Sequence, residues 1–124
     1  MRYSEKVMEH FRSTKNYGKI KNADGIGKVG NPICGDVMWI YIKIKNNTIV
    51  NAKFETFGCV AAIATSSMAI DMIKGKDIDK ALGLSNKAVT EALEGLPKEK
   101  IHCSVLAEEG IKSAILDYKK KSDK

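Results

Sequence analysis

At 124 residues the chain can bury one modest core and is too short for two. Its 44% hydrophobic and 29% charged residues suit a soluble globular protein, and no apolar run approaches the ~20 residues of a membrane span. The net charge of +6 does not mark a nucleic-acid binder: the last six residues, KKKSDK, hold four Lys and one Asp and so carry +3 of it, and no basic stripe interleaved with aromatics is visible elsewhere.

The opening MRYSEKVMEHF has charges of both signs and no apolar signal region, so a cytoplasmic location is expected. Tyr3–Ser13 reads as a helix with Val7, Met8 and Phe11 on one stripe, and His10 there as an ordinary satisfied histidine. The glycine-rich TKNYGKIKNADGIGKVGNPICGD that follows predicts loop, or loop with a short edge strand near Gly27–Val29. From Val37 the residues alternate, with Met38, Ile40, Ile42 and Ile44 on one face and Val37, Trp39, Tyr41 and Lys43 on the other. Asn46-Asn47 signals a turn, and a second strand with Val50, Ala52 and Phe54 inward completes an antiparallel hairpin.

After Gly58 the pattern becomes helical. Cys59–Ile73 reads as a largely buried helix, interrupted by Thr65, Ser66, Ser67 and Asp71 and ending near Lys74-Gly75. Asp77–Leu82 and Ser85–Leu93 predict two short helices, and GLPKEK breaks the chain. His102–Lys120 is the longest helix, with a core stripe of Ala107, Ile111, Ala114, Ile115 and Tyr118, and lysines at its negative end. A helix, then strands, then a run of helices predicts an α+β fold: a small antiparallel sheet of about three strands, helices packed on one face, and a long C-terminal helix. Residues 1–124 read as one domain, with 119–124 as a basic, disordered tail.

Three cysteines stand out: Cys34 before Gly35, Cys59 after Gly58, and Cys103 after His102. An odd number argues against a disulfide framework, and the lack of C-x-x-C argues against thioredoxin-like and zinc-knuckle motifs. Each cysteine falls at an element boundary. Cys59 and Cys103 are expected at helix N-termini, where unpaired N–H groups favour thiolate, the form that binds soft metals and attacks sulfur. Asp36 and His102 lie close enough in sequence to join such a site. Gly25, Gly27, Gly30 and Gly35 are expected to leave the loops around it mobile.

The stretches GNPICGDVM, FGCVAAIATSS and KIHCSVLAEEGIKSAI, with the opening YSEKVMEHF, resemble the IscU/NifU N-terminal family of iron–sulfur cluster scaffolds. The likeness runs from about Tyr3 to Tyr118 with the motifs in the family's order. It implies that Cys34, Cys59 and Cys103 are cluster cysteines, that Asp36 governs release and that His102 is a candidate fourth ligand. It further implies a [2Fe–2S] cluster, with Zn²⁺ able to take the same residues. By the same likeness, a PLP-dependent cysteine desulfurase donates sulfur, Cys103 or Cys34 accepts it as a persulfide, and apo-proteins receive the cluster. Such a chain assists chemistry without being a turnover enzyme. The family often has Leu-Pro-Pro-Val-Lys where an Hsp70-type chaperone docks; Leu96-Pro97-Lys98-Glu99-Lys100 departs from it at two positions, which argues against chaperone-assisted release. Two other readings use the same residues. One is a zinc-stabilised binding module. The other is a thiol enzyme with Cys34 or Cys59 as nucleophile, His102 as base and Asp36 as orienter.

Overall fold

The computed structural model describes residues 3–31 and 36–122, and of Asn31 and Asp36 the backbone alone. Helix α1 (Glu5–Arg12) precedes strands β1 (Gly25–Asn31), β2 (Asp36–Lys45) and β3 (Thr48–Thr56). Helices α2 (Val60–Ile73), α3 (Ile78–Leu82), α4 (Asn86–Ala92) and α5 (Ile101–Ser122) follow, the last entered through a 3-10 turn at Lys98–Lys100. The strands form one antiparallel sheet in the order β1-β2-β3. Its inner face supplies Met38, Ile40, Ile42, Ile49, Ala52 and Phe54 to a core shared with α2 and α5. This is the α+β architecture expected from the order of elements.

Local chemistry sets the boundaries. Asn46 and Asn47 both take positive φ, 53° and 61°, which makes the two-residue primed turn whose twist matches a hairpin. Ser4 caps α1, Asp77 caps α3 and Ser85 caps α4, each accepting a backbone N–H with its side-chain oxygen. One strand assignment needs correction. A bulge shifts the register so that Lys43 faces Asn51 while Ile44 faces Ile49, leaving Val50 as the extra residue. Ile49 is therefore fully buried and Val50 is 53% exposed, the reverse of simple alternation.

The glycines also act differently from expectation. Gly25, Gly27 and Gly30 belong to β1, a seven-residue edge strand rather than a loop. A Cβ on Gly25 would lie 2.3 Å from the Ala114 carbonyl oxygen, and one on Gly27 would lie 2.4 Å from that of Gly110. Gly110 in turn would meet Ile40 Cγ1 at 2.9 Å. These absences of side chain let α5 lie directly on β1 and β2, backbone against backbone. Asp117 on α5 then accepts the Ile26 N–H at 2.9 Å, and that bond is the main reason its pKa falls below the usual carboxylate value. Helix α5 also extends as far as Ser122, into the segment expected to be a tail. Lys121 pairs with Asp117 one turn back at 2.9 Å, and the basic last turn suits the helix dipole.

Helix α1 packs on α2 through polar contacts. His10 Nδ1 meets Ser67 Oγ at 2.9 Å, so His10 is satisfied as expected. Buried Asn16 donates to the Ser67 carbonyl at 3.1 Å and to Asp71 Oδ1 at 2.9 Å, and accepts from Lys74 Nζ at 2.7 Å.

Two predictions follow from this packing. Gly27→Ala must push backbone against backbone and should cost about 1–3 kcal/mol, read as a lower urea midpoint; an unchanged midpoint would remove the glycine seam from the account. Burial lowers the His10 pKa in the folded state, against the partly opposing charge of Asp71. The unfolded chain therefore binds the extra proton first. Stability is full above the unfolded value near 6.5 and falls as pH drops below it through the folded value. Urea midpoints measured across that window should slope for the native chain and flatten for His10→Gln.

Candidate metal centre

Cys59 is the N-cap of α2, and its side chain makes no capping hydrogen bond, so the sulfur is not spent on closing the helix. Cys103 lies in the first turn of α5, fully buried against Ala61 and Ala62, with Tyr3, Cys59 and Leu96 packed around the same cluster. The Cys103 Sγ and His102 Nε2 are 3.6 Å apart. Cys59 thus sits at a helix N-terminus, as expected, whereas α5 is entered through the 3-10 turn, whose Lys98 carbonyl already accepts the Ile101 N–H. Cys59 and Cys103 share one packed cluster, with His102 beside Cys103.

Three further contacts hold this arrangement, and no local sequence signal announces them. The Thr65 hydroxyl on α2 lies 3.2 Å from the carbonyl oxygens of both Ala62 and Cys103, tying the first turn of α5 to α2. The Thr56 hydroxyl donates to the Val37 carbonyl at 2.7 Å and accepts the Gly58 N–H at 3.1 Å. The Phe57 N–H also reaches the Val37 carbonyl, at 3.3 Å. These bonds fix the approach to Cys59 beside the start of β2, which Asp36 opens opposite Asn31.

Charge is arranged around the sulfurs as well. The Lys100 ammonium is held above its usual pKa first by the Cys59 thiolate and further by a hydrogen bond to it, with burial opposing. Tyr3 has its hydroxyl pKa raised by burial and then by the thiolates of Cys59 and Cys103. Lys98 and Glu99 are exposed in the 3-10 turn, whereas Lys100 is half-exposed and reaches the Cys59 sulfur.

Cys34 and the Asp36 side chain lie outside the described residues. Among the described residues, no group of three His, Cys, Asp or Glu is placed to hold a metal ion. Backbone geometry nevertheless locates the two ends of the 32–35 connection. Gly25 lies against Ala114 and Tyr118, and Gly27 against Gly110 and Ala114, so β1 and α5 run in opposite directions. At ~3.3 Å per strand residue and ~1.5 Å per helix residue, Gly27 to Asn31 and Lys112 back to Cys103 both span about 13 Å. Asn31 and Asp36 therefore flank the end of the sheet where α5 begins.

With that geometry in hand, comparison with known proteins is specific. The family profile described as NifU-like N terminal domain matches residues 2–124. A relative from Archaeoglobus fulgidus, named iron-sulfur cluster assembly scaffold protein IscU 1, is 59% identical over 122 residues, covering 98% of this chain and 80% of its own. The Escherichia coli K12 protein named iron-sulfur cluster assembly scaffold protein IscU is 48% identical over 127 residues, covering 99% and 98%. Among solved structures, a Fervidobacterium islandicum protein, described as a cluster assembly scaffold for the SUF system, superposes with a TM-score of 0.76 at 27% identity, covering 91% of this chain and 96% of its own. The N-terminal part of a NifU-like protein from Brucella abortus shares the fold with a TM-score of 0.73 at 17% identity, covering 94% of each. The chain belongs to the NifU-like N-terminal domain family of scaffold proteins.

Thr56→Val tests the local geometry. It keeps the shape, leaves the half-buried Gly58 N–H without its acceptor, and should cost about 1 kcal/mol. Alkylation of Cys59 by iodoacetamide, followed by mass spectrometry of the peptide, should become several-fold faster as its loop loosens. An unchanged rate would mean that Thr56 does not position Cys59.

Proposed function

We propose that the chain receives sulfur and iron, assembles a labile [2Fe–2S] cluster at the Cys59 and His102-Cys103 end of the sheet, and passes it to apo-proteins. What supports this reading is the packing of Cys59 and Cys103 around one cluster, with His102 next to Cys103, at the edge flanked by Asn31 and Asp36. Cys34, Cys59 and Cys103 supply three thiolates, matched to iron–sulfur chemistry. A [2Fe–2S] cluster needs four terminal ligands, so Asp36 or His102 completes the set. Carboxylate or imidazole is a poorer match than thiolate, and that corner makes the cluster exchangeable. The same donors suit Zn²⁺, which is expected to compete for the site.

Sulfur delivery has a defined balance. A thiolate, Cys103 in preference to Cys34, attacks the outer sulfur of a persulfide on a cysteine desulfurase, and the donor's thiolate leaves. Two electrons from an external one-electron donor protein then reduce the new persulfide, releasing sulfide to iron and regenerating the thiolate. We further propose that the chain works in the cytoplasm as one domain, assists this chemistry rather than catalysing a turnover of its own, and releases the cluster without an Hsp70-type chaperone. The exposed Lys98 and Glu99 support that last point, since they place charge where the family motif is apolar.

Anaerobic loading of zinc-free protein with ferrous iron and sulfide tests the reading. The wild type should develop visible sulfur-to-iron charge-transfer bands. Cys34→Ser, Cys59→Ser and Cys103→Ser should each lose about tenfold or more in cluster occupancy. By the family resemblance rather than by ligand strength, Asp36→Ala should load and then release more slowly to an apo-ferredoxin; an unchanged transfer rate would count against a role for Asp36 in release. A colourless wild type whose fold collapses on chelation would favour the zinc-stabilised module instead.

A further inference from the structure

The helices cover one face of the sheet, and the other carries an aromatic surface: Tyr17 and Tyr41 are tied to the fold by contacts with Phe54, Thr56 and Glu55, while Phe57 stands out into solvent. Phe57 is 82% exposed, and Tyr17 and Ile26 are 41% exposed. The Phe57 ring stands edge-on to Trp39 with centroids 5.6 Å apart, and Lys28 Nζ lies 5.6 Å from the Trp39 ring centroid. Tyr17, Lys19, Trp39, Tyr41, Glu55 and Phe57 line a shallow depression of about 270 Å³. An aromatic left this open gains little for folding, whereas edge-paired rings in a shallow cleft suit the centre of a protein interface.

Charge specifies the partner. Among the described residues, Lys19, Lys28 and Lys53 rim this face without a carboxylate partner. Glu55, inside the depression, is engaged by the Tyr41 hydroxyl at 2.7 Å. The rim is therefore cationic and complements an acidic surface. Lysines and aromatics that looked scattered along the chain meet here through strand pairing, with Lys28 opposite Trp39 and Trp39 opposite Glu55. The pattern fits protein better than nucleic acid: Lys28 covers the Trp39 ring on which a base would stack, and Glu55 stands where a phosphate would approach.

Position specifies the role. Phe57 precedes Cys59 by two residues, so their backbones lie within about 7 Å. Cys59 is half-buried while Cys103 is fully buried, so of these two Cys59 is the ligand an incoming thiolate reaches first. We propose that the Trp39–Phe57 face, rimmed by Lys19, Lys28 and Lys53, docks an acidic apo-protein recipient and presents its thiolates to the Cys59 corner of the cluster. This rests on the scaffold reading above and adds the surface and charge of the recipient.

Trp39 is the chain's one tryptophan, so its emission reports docking without any cluster. Titration of the unloaded chain with an acidic apo-ferredoxin should shift that emission, and high salt should abolish the shift. In loaded protein, Phe57→Ala and Lys28→Glu should each slow transfer per bound cluster about tenfold, within the range that electrostatic steering and central anchors supply. Lys87→Glu, the same charge change on the exposed surface of α4, should transfer at the wild-type rate. Loading with normal transfer in both face variants would overturn the docking surface and leave the scaffold intact. A salt-sensitive Trp39 response in a chain that never loads would do the reverse. A response to a cysteine desulfurase or to single-stranded oligouridine, with none to the apo-ferredoxin, would assign the face to that ligand and overturn the proposal.

Discussion

The close approach of α5 to β1 is the constraint on which the rest depends. Gly25 and Gly27 supply no side chain where α5 crosses the strand, and Gly110 supplies none where the helix meets Ile40. The helix therefore lies flat along the strand and antiparallel to it. Its first turn is carried to the end of the sheet where β1 leaves and β2 begins. His102 and Cys103 reach their place because of a backbone contact farther along the same helix. Thr65 and Thr56 then refine that placement, one joining α5 to α2 and the other joining the Cys59 approach to β2.

Much of this architecture is legible in the sequence because it is local. Ser4, Asp77 and Ser85 mark helix starts by the same hydrogen bond in each case, and Asn46-Asn47 marks the hairpin by its tolerance of positive φ. What sequence reading missed depends on pairing between distant segments. The bulge that buries Ile49 in place of Val50 exists only against β2. The glycines of β1 look like loop residues until α5 is laid across them. Lys100 reads as one more surface lysine until the 3-10 turn brings it to Cys59. The place of Cys59 at a helix start and of Cys103 in a first helical turn was legible locally, whereas their grouping with Cys34 as one site rests on the family resemblance.

The proposed cluster site would combine a buried cysteine with a ligand set of only three thiolates. A ferredoxin commonly holds its [2Fe–2S] cluster with four thiolates, while this chain has three cysteines in all. Cys103 is buried between α2 and α5, Cys59 is more accessible, and His102 stands beside Cys103 as an optional nitrogen. On the proposed ligand set, a cargo would be fixed from the core side and open at one edge. The exposed aromatic face, with Phe57 two residues before Cys59, lies next to that edge, and the proposed docking there would give transfer a direction.

The most direct test is Mössbauer spectroscopy of the chain loaded anaerobically with ⁵⁷Fe and sulfide. The account predicts two distinct doublets of equal area, one from an iron bound by two cysteine thiolates and one from an iron bound by a thiolate and a nitrogen or oxygen ligand. Two equivalent, all-sulfur irons would contradict it, because the exchangeable corner would then not exist.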